Sequence, residues 1–185
     1  MRDVEKAAGF LNLFADNVSA GMDVEPIAWI RENVVDQQSA RSSHIDFTLS
    51  PFLLEPIDKF LNDGTVRHIN LMAPTGSGKS TLFVGLLNYL IANDAGNTLV
   101  AFQNEQETSD FAETRLFPTF RDNKALKNLL PKKRHAARKT EILFPHMNLW
   151  MVSATKGQLQ SKSCRYLIGD EMWAWEKGMV REFLA

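Results

Sequence analysis

Only one cysteine, Cys164, occurs in 185 residues. A single thiol excludes an internal disulfide and fits a reducing compartment. No apolar run approaches the roughly 20 residues that cross a bilayer, so no membrane contact is expected. The start of the chain, Met1-Arg2-Asp3-Val4-Glu5-Lys6, is charged where a signal peptide needs an apolar stretch. Charge of one sign is also lacking. The net charge is −1, from 21 Lys and Arg against 22 Asp and Glu. Any nucleic-acid contact therefore has to come from a local patch. The four histidines, His44, His68, His135 and His146, show no metal-ligand spacing. No internal repeat or low-complexity tract is present. What remains is an ordinary globular composition, 44% apolar and 23% charged. The length suits one α/β domain with a sizeable core.

The informative stretch is Ala73-Pro74-Thr75-Gly76-Ser77-Gly78-Lys79-Ser80, followed by Thr81. It has phosphate-loop spacing: a small residue, four free positions, then Gly-Lys-Ser. Val66, Ile69, Leu71 and Met72 before it predict a short buried strand. After it, Leu82, Leu86 and Leu90, with Phe83, Leu87 and Ile91, repeat at helical spacing. Asn93, Asp94 and Gly96 stop that helix. In this context the N–H groups of residues 76–80 can wrap a phosphate at the helix's positive end. Lys79 then reaches the β- and γ-phosphates of ATP, and the Ser80 hydroxyl binds Mg²⁺.

Elsewhere, residues 3–14 and Pro26 to Val35 have helical patterns, and residues 36–47 read as a polar surface loop. Ser50 and Pro51 predict a helix start, a capping hydroxyl followed by proline in the first turn. Pro56 marks a kink or the true start, and Asn62-Asp63-Gly64 the end. Residues 97–103 predict a buried strand. Glu105 to Leu116 and Asp122 to Leu130 predict helices. Thr140 to Phe144 and Asn148 to Ser153 predict a hairpin turned at Pro145-His146. Residues 154–164 read as a polar loop. The main basic cluster, residues 132–139, is either a solvated loop or a track for a DNA backbone.

A second hydrophobic strand, Tyr166-Leu167-Ile168-Gly169, runs into Asp170-Glu171. Beside a phosphate loop, such an Asp organises Mg²⁺. Glu171, one residue on, points differently because strand side chains alternate. It is the candidate base that polarises an attacking water. Arg115, Arg121, Arg165 and Arg181 are candidates for stabilising charge. Trp173 and Trp175 are read as packing residues or as a base-stacking surface.

With both halves of the site present, the chain resembles the ATPase domain of large terminase subunits of the lambda-like branch. The resemblance rests on ordered segments: Ser50-Pro51-Phe52-Leu53-Leu54-Glu55-Pro56-Ile57, the phosphate loop, Thr98 to Gln103, and Arg115-Leu116-Phe117-Pro118. It continues through Ser153-Ala154-Thr155, Gly157, Leu159-Gln160-Ser161, Arg165-Tyr166, Asp170-Glu171 and Glu176-Lys177-Gly178. It implies an α/β P-loop NTPase with a mainly parallel central sheet flanked by helices. A helical lead-in over residues 1–64 precedes an ATPase core over residues 65–185. It also implies ATP and Mg²⁺, double-stranded DNA, a small terminase subunit, a portal or procapsid, and a homo-oligomeric ring in the bacterial host cytoplasm. Many relatives carry a basic residue near the start of the loop, where this chain has Met72 and Ala73. The arginine completing the site is therefore expected elsewhere. Later ATPase motifs and a nuclease domain are expected beyond Ala185. Two other readings stay open, a helicase-like or repair ATPase and a nucleotide-binding module without turnover.

Overall fold

The computed structural model describes residues 24–36, 44–131, 137–138, 140–160 and 162–185. The helix expected over residues 3–14 lies outside them, as does most of the basic cluster at 132–139.

A five-stranded sheet organises the molecule. In spatial order its strands are β2 (Ala137–Arg138), β3 (Glu141–Leu143), β4 (Asn148–Ser153), β1 (Thr98–Phe102) and β5 (Tyr166–Gly169). β1 is parallel to β4 and to β5, while β3 is antiparallel to both β4 and β2. The sheet is therefore mixed: parallel in its β4-β1-β5 half and antiparallel at the predicted hairpin. Every residue of β1 is buried, as a central strand covered on both faces requires. Its side chains alternate between two apolar clusters. Val100 and Phe102 face one, with Leu149, Met151 and Ile168. Leu99 and Ala101 face the other, with Trp150 and Val152.

Helices cover both faces. On the first lie α1 (Pro26–Asn33), α2 (Leu54–Asn62) and α3 (Lys79–Asn93), through Ile30, Ile57, Leu86 and Leu90. On the second lie α6 (Lys156–Leu159) and α7 (Met179–Leu184), through Leu159 and Phe183. α6 is a single turn inside the segment expected to be all loop.

Between β1 and β2 one helical run joins α4 (Glu105–Phe111), a π turn (Ala112–Leu116) and α5 (Phe117–Asp122). It passes the expected end at Leu116. Pro118 has no N–H for the Thr114 carbonyl, and the π turn absorbs that mismatch. The helix expected over residues 122–130 does not form. Asn123 leaves the helical region at φ −75°, ψ 110°, and its side-chain oxygen accepts from Ala125 N at 2.9 Å. This asparagine turn replaces a helix start with a chain of turns.

The strand expected before the phosphate loop is also absent. Residues 66–72 join no ladder, and Met72 is 96% exposed. A strand needs a hydrogen-bonded neighbour, and Arg67, His68 and Asn70 break the apolar run that would otherwise be buried. Nor does Ser50 cap a helix. It precedes a 3₁₀ turn, Pro51–Leu53, with no side-chain cap bond, and α2 starts at Leu54 with Pro56 in its first turn.

Candidate nucleotide site

The parallel strands β4, β1 and β5 end along one edge of the sheet. There Ala154 N donates to Phe102 O at 2.8 Å, and Asp170 N donates to Ala101 O at 2.9 Å. The carboxyl edge of parallel strands is where open α/β sheets bind ligands. Gln103, Ser153 and Asp170 are thereby brought to the same rim.

The phosphate loop leads into α3. Gly76 (φ 76°) and Gly78 (φ 93°) are left-handed, a region closed to most side chains. Gly78 precedes the first helical residue, Lys79, and α3 has no side-chain cap. The N–H groups of its first turn thus have no intrahelical acceptor and face outward at the positive helix end. Lys79 Nζ donates to the carbonyls of Ala73 and Pro74, each at 2.8 Å. This folds the ammonium back across the loop. Ser77 Oγ is the buried side-chain polar atom without a partner among the described residues. Ser50 Oγ instead donates to Ser77 O at 3.1 Å, and a Cβ at Gly78 would lie 3.2 Å from Leu53 Cδ1. The segment ahead of α2 therefore props the loop from behind.

Asp170 stands just past β5, half-buried. Burial pushes its carboxyl above the ordinary value; the neighbouring Glu171 and Glu107 charges add to this, while the Glu171 N–H and the Lys79 ammonium oppose it. The Lys79 charge is therefore felt at Asp170. Asp170 Oδ1 accepts from Glu171 N at 3.0 Å, and its carbonyl accepts from Trp175 Nε1 at 3.0 Å.

Glu171 is the only non-glycine residue with positive φ among those described, at φ 46°, ψ 41°. Its direction is thus set by a left-handed turn after the strand, not by strand alternation. The Glu171 side chain is exposed on the rim. Gly169 allows the turn to close, since a Cβ there would meet Met172 Sδ at 2.8 Å.

Trp175 is buried, packed edge-on against Phe183, while Trp173 is 85% exposed. Arg165 pairs with Asp94 at 2.8 Å, beside Tyr166 at the start of β5. It therefore sits at the end of the strand opposite Asp170 and does not serve this chain's own site. A cavity of about 460 Å³ lies elsewhere, over β3 and β4, lined by Thr108, Glu141, Trp150 and Lys162 among others. The phosphate loop is an open rim, as suits a ligand held by backbone N–H groups.

A family model described as phage terminase large subunit gpA, ATPase domain, matches residues 39–182. The chain belongs to this terminase ATPase family. No curated protein and no solved structure matches it. Membership makes ATP the substrate and hydrolysis the reaction, at that level, and places the chain in viral DNA packaging.

Two residues of this terminase domain were not singled out by sequence. Glu107 carried only a local signal, its position three residues after the capping Asn104, which accepts from Glu107 N at 2.9 Å. Asp36 carried none, lying in a polar stretch with no periodicity. It accepts from the Thr81 hydroxyl at 2.8 Å.

Proposed function

We propose that this chain is the motor domain of a phage large terminase, using ATP hydrolysis to move double-stranded DNA into a procapsid. The reading is carried by the left-handed glycines of the loop before the uncapped first turn of α3, with Asp170, which feels the Lys79 charge, past the carboxyl end of β5. The ATPase core is assigned to residues 65–185 as a P-loop NTPase fold, with residues 1–64 as a helical lead-in.

ATP phosphates fit the loop. Gly76 leaves open space, with nothing within 4 Å of a Cβ built there. The orphaned Ser77 Oγ and the uncapped first turn of α3 supply donors. On this reading Ala73, Pro74, Thr75, Gly76, Ser77 and Gly78 wrap the phosphates, and Lys79, Ser80 and Thr81 contact them from the helix end. Lys79 exchanges its two carbonyl partners for β- and γ-phosphate oxygens. The hydroxyl of Ser80 and the carboxylate of Asp170 would hold Mg²⁺, which would offset the phosphate charge. Glu171 orients the attacking water and takes its proton. Double-stranded DNA, a small subunit, a portal and a ring of identical subunits are the expected partners, in the host cytoplasm.

The test is turnover and ATP binding measured side by side. Lys79→Ala abolishes both. Glu171→Gln keeps ATP binding and lowers turnover by about 100-fold or more, the size of a general-base contribution. Undiminished turnover in Glu171→Gln removes Glu171 from the mechanism. Binding without turnover in the unaltered chain supports a switch module instead of a motor.

A further inference from the structure

Thr81 lies in the first turn of α3, two residues past Lys79. Its hydroxyl donates to Asp36 Oδ2 at 2.8 Å, a contact between residues 45 positions apart. A hydroxyl has one proton to give. Here that proton goes to a carboxylate. A phosphate seated on the loop is a second anion needing donors at the same helix end. Both acceptors are drawn by the positive end of α3, and they repel each other at short range. They cannot both accept the Thr81 proton.

We propose that Asp36 competes with nucleotide phosphate for Thr81, so that ATP binding loosens the Val34–Asp36 segment from α3. This rests on the nucleotide reading of the loop.

Other described contacts also tie this segment to the fold. Val34 is fully buried, its N–H donates to Ile30 O at 2.9 Å, and its carbonyl accepts from Ile45 N at 3.1 Å. Ile30 and Ile45 close on α3 at Gly85, where a Cβ would lie 3.0 Å from Ile30 Cγ2 and 3.3 Å from Ile45 Cδ1. These contacts are apolar or purely backbone, and they lie further along the helix. Ser50 also touches the loop, but it donates to the Ser77 carbonyl, which no phosphate can use. Asp36 is the contact at the phosphate end that an arriving anion contests. The contest makes Asp36 a positioning residue: it acts on the nucleotide through Thr81, not by touching it in the reaction.

The experiment is a titration of the 185-residue chain with Mg-ATP. Asp36→Ala is expected to tighten ATP binding about fivefold, the size of one modest hydrogen-bond difference. Asp36→Asn, which keeps an acceptor without the charge, gains less. In a Thr81→Val background the contested proton is absent, and Asp36→Ala shifts affinity by less than about twofold. Hydrogen exchange gives a second readout, on the unaltered chain. ATP should lower protection of the Ile45 amide, and should not do so in Thr81→Val. This measurement decides the matter if Asp36→Ala does not fold. The inference is overturned by an Asp36→Ala chain that binds ATP equally or more weakly, or by Ile45 protection that ignores ATP. An unaltered chain that binds no ATP overturns the nucleotide reading as well; one that binds ATP but is insensitive to Asp36→Ala overturns only the competition.

Discussion

Glu171 holds a left-handed backbone without being glycine, a strain of about 1–3 kcal/mol that the surrounding structure must impose. The Asp170 carboxylate accepting the Glu171 N–H and the Met172–Ala174 turn that follows are the restraints. Glycine adopts this conformation without penalty. Glu171→Gly is therefore expected to raise stability by about 1 kcal/mol while eliminating turnover. A denaturant melt and an ATPase assay on the same sample check both halves, and a destabilised Glu171→Gly chain refutes the strain. The identity of Glu171 as a candidate was legible from Asp-Glu at a strand end. Its orientation was not, because strand alternation cannot foresee a turn beginning one residue earlier.

Among the elements, α3 depends on two close approaches. Gly85 meets Ile30 and Ile45 with no room to spare. Gly85→Leu is expected to cost about 2–3 kcal/mol by overpacking, seen as a lower denaturant midpoint at unchanged slope. On another side of α3, Asn123 Nδ2 donates to Asn88 Oδ1 at 2.9 Å, and both side chains are buried. Asn88 in turn donates to Val84 O at 2.8 Å. Asn123→Ala leaves the Asn88 oxygen buried without this donor and frees the Ala125 N–H. A loss of about 2 kcal/mol is expected in equilibrium unfolding. Restoring an acceptable apolar pair with Asn88→Leu in the same chain should recover part of it. The periodicity around α3 and the uniform run of β1 made those two elements legible. Residues 122–130 misled because their apolar spacing suits a helix, while Asn123 offers the backbone a competing side-chain bond. Residues 66–72 misled because a strand-like composition says nothing about whether a neighbour is there to pair with.

At the scale of the whole molecule, residues 24–36 and 44–62 are not an appendage. Ile30, Phe47, Leu53 and Ile57 are each 2% exposed or less, in the same cluster as Leu82, Leu87 and Leu90 of α3. Sequence periodicity showed that α1 and α2 have apolar faces but could not say that α1 closes on the helix carrying Lys79 and that α2 packs against α1. A chain beginning at residue 65 would expose that side of α3. It is expected to bind a hydrophobic dye and to melt without a cooperative transition, whereas the 185-residue chain melts in one. A cooperative melt of the shortened chain would show that the strands and α3 suffice. The four tryptophans are also unevenly placed. Trp150 and Trp175 are buried and Trp29 is packed against Tyr89, while Trp173 stands in solvent three residues past Asp170. A soluble quencher such as iodide should therefore reach one indole far more readily than the rest, and that indole lies on the rim of the site. Trp173 gives the chain a built-in optical reporter of what occupies that rim, readable without any attached label.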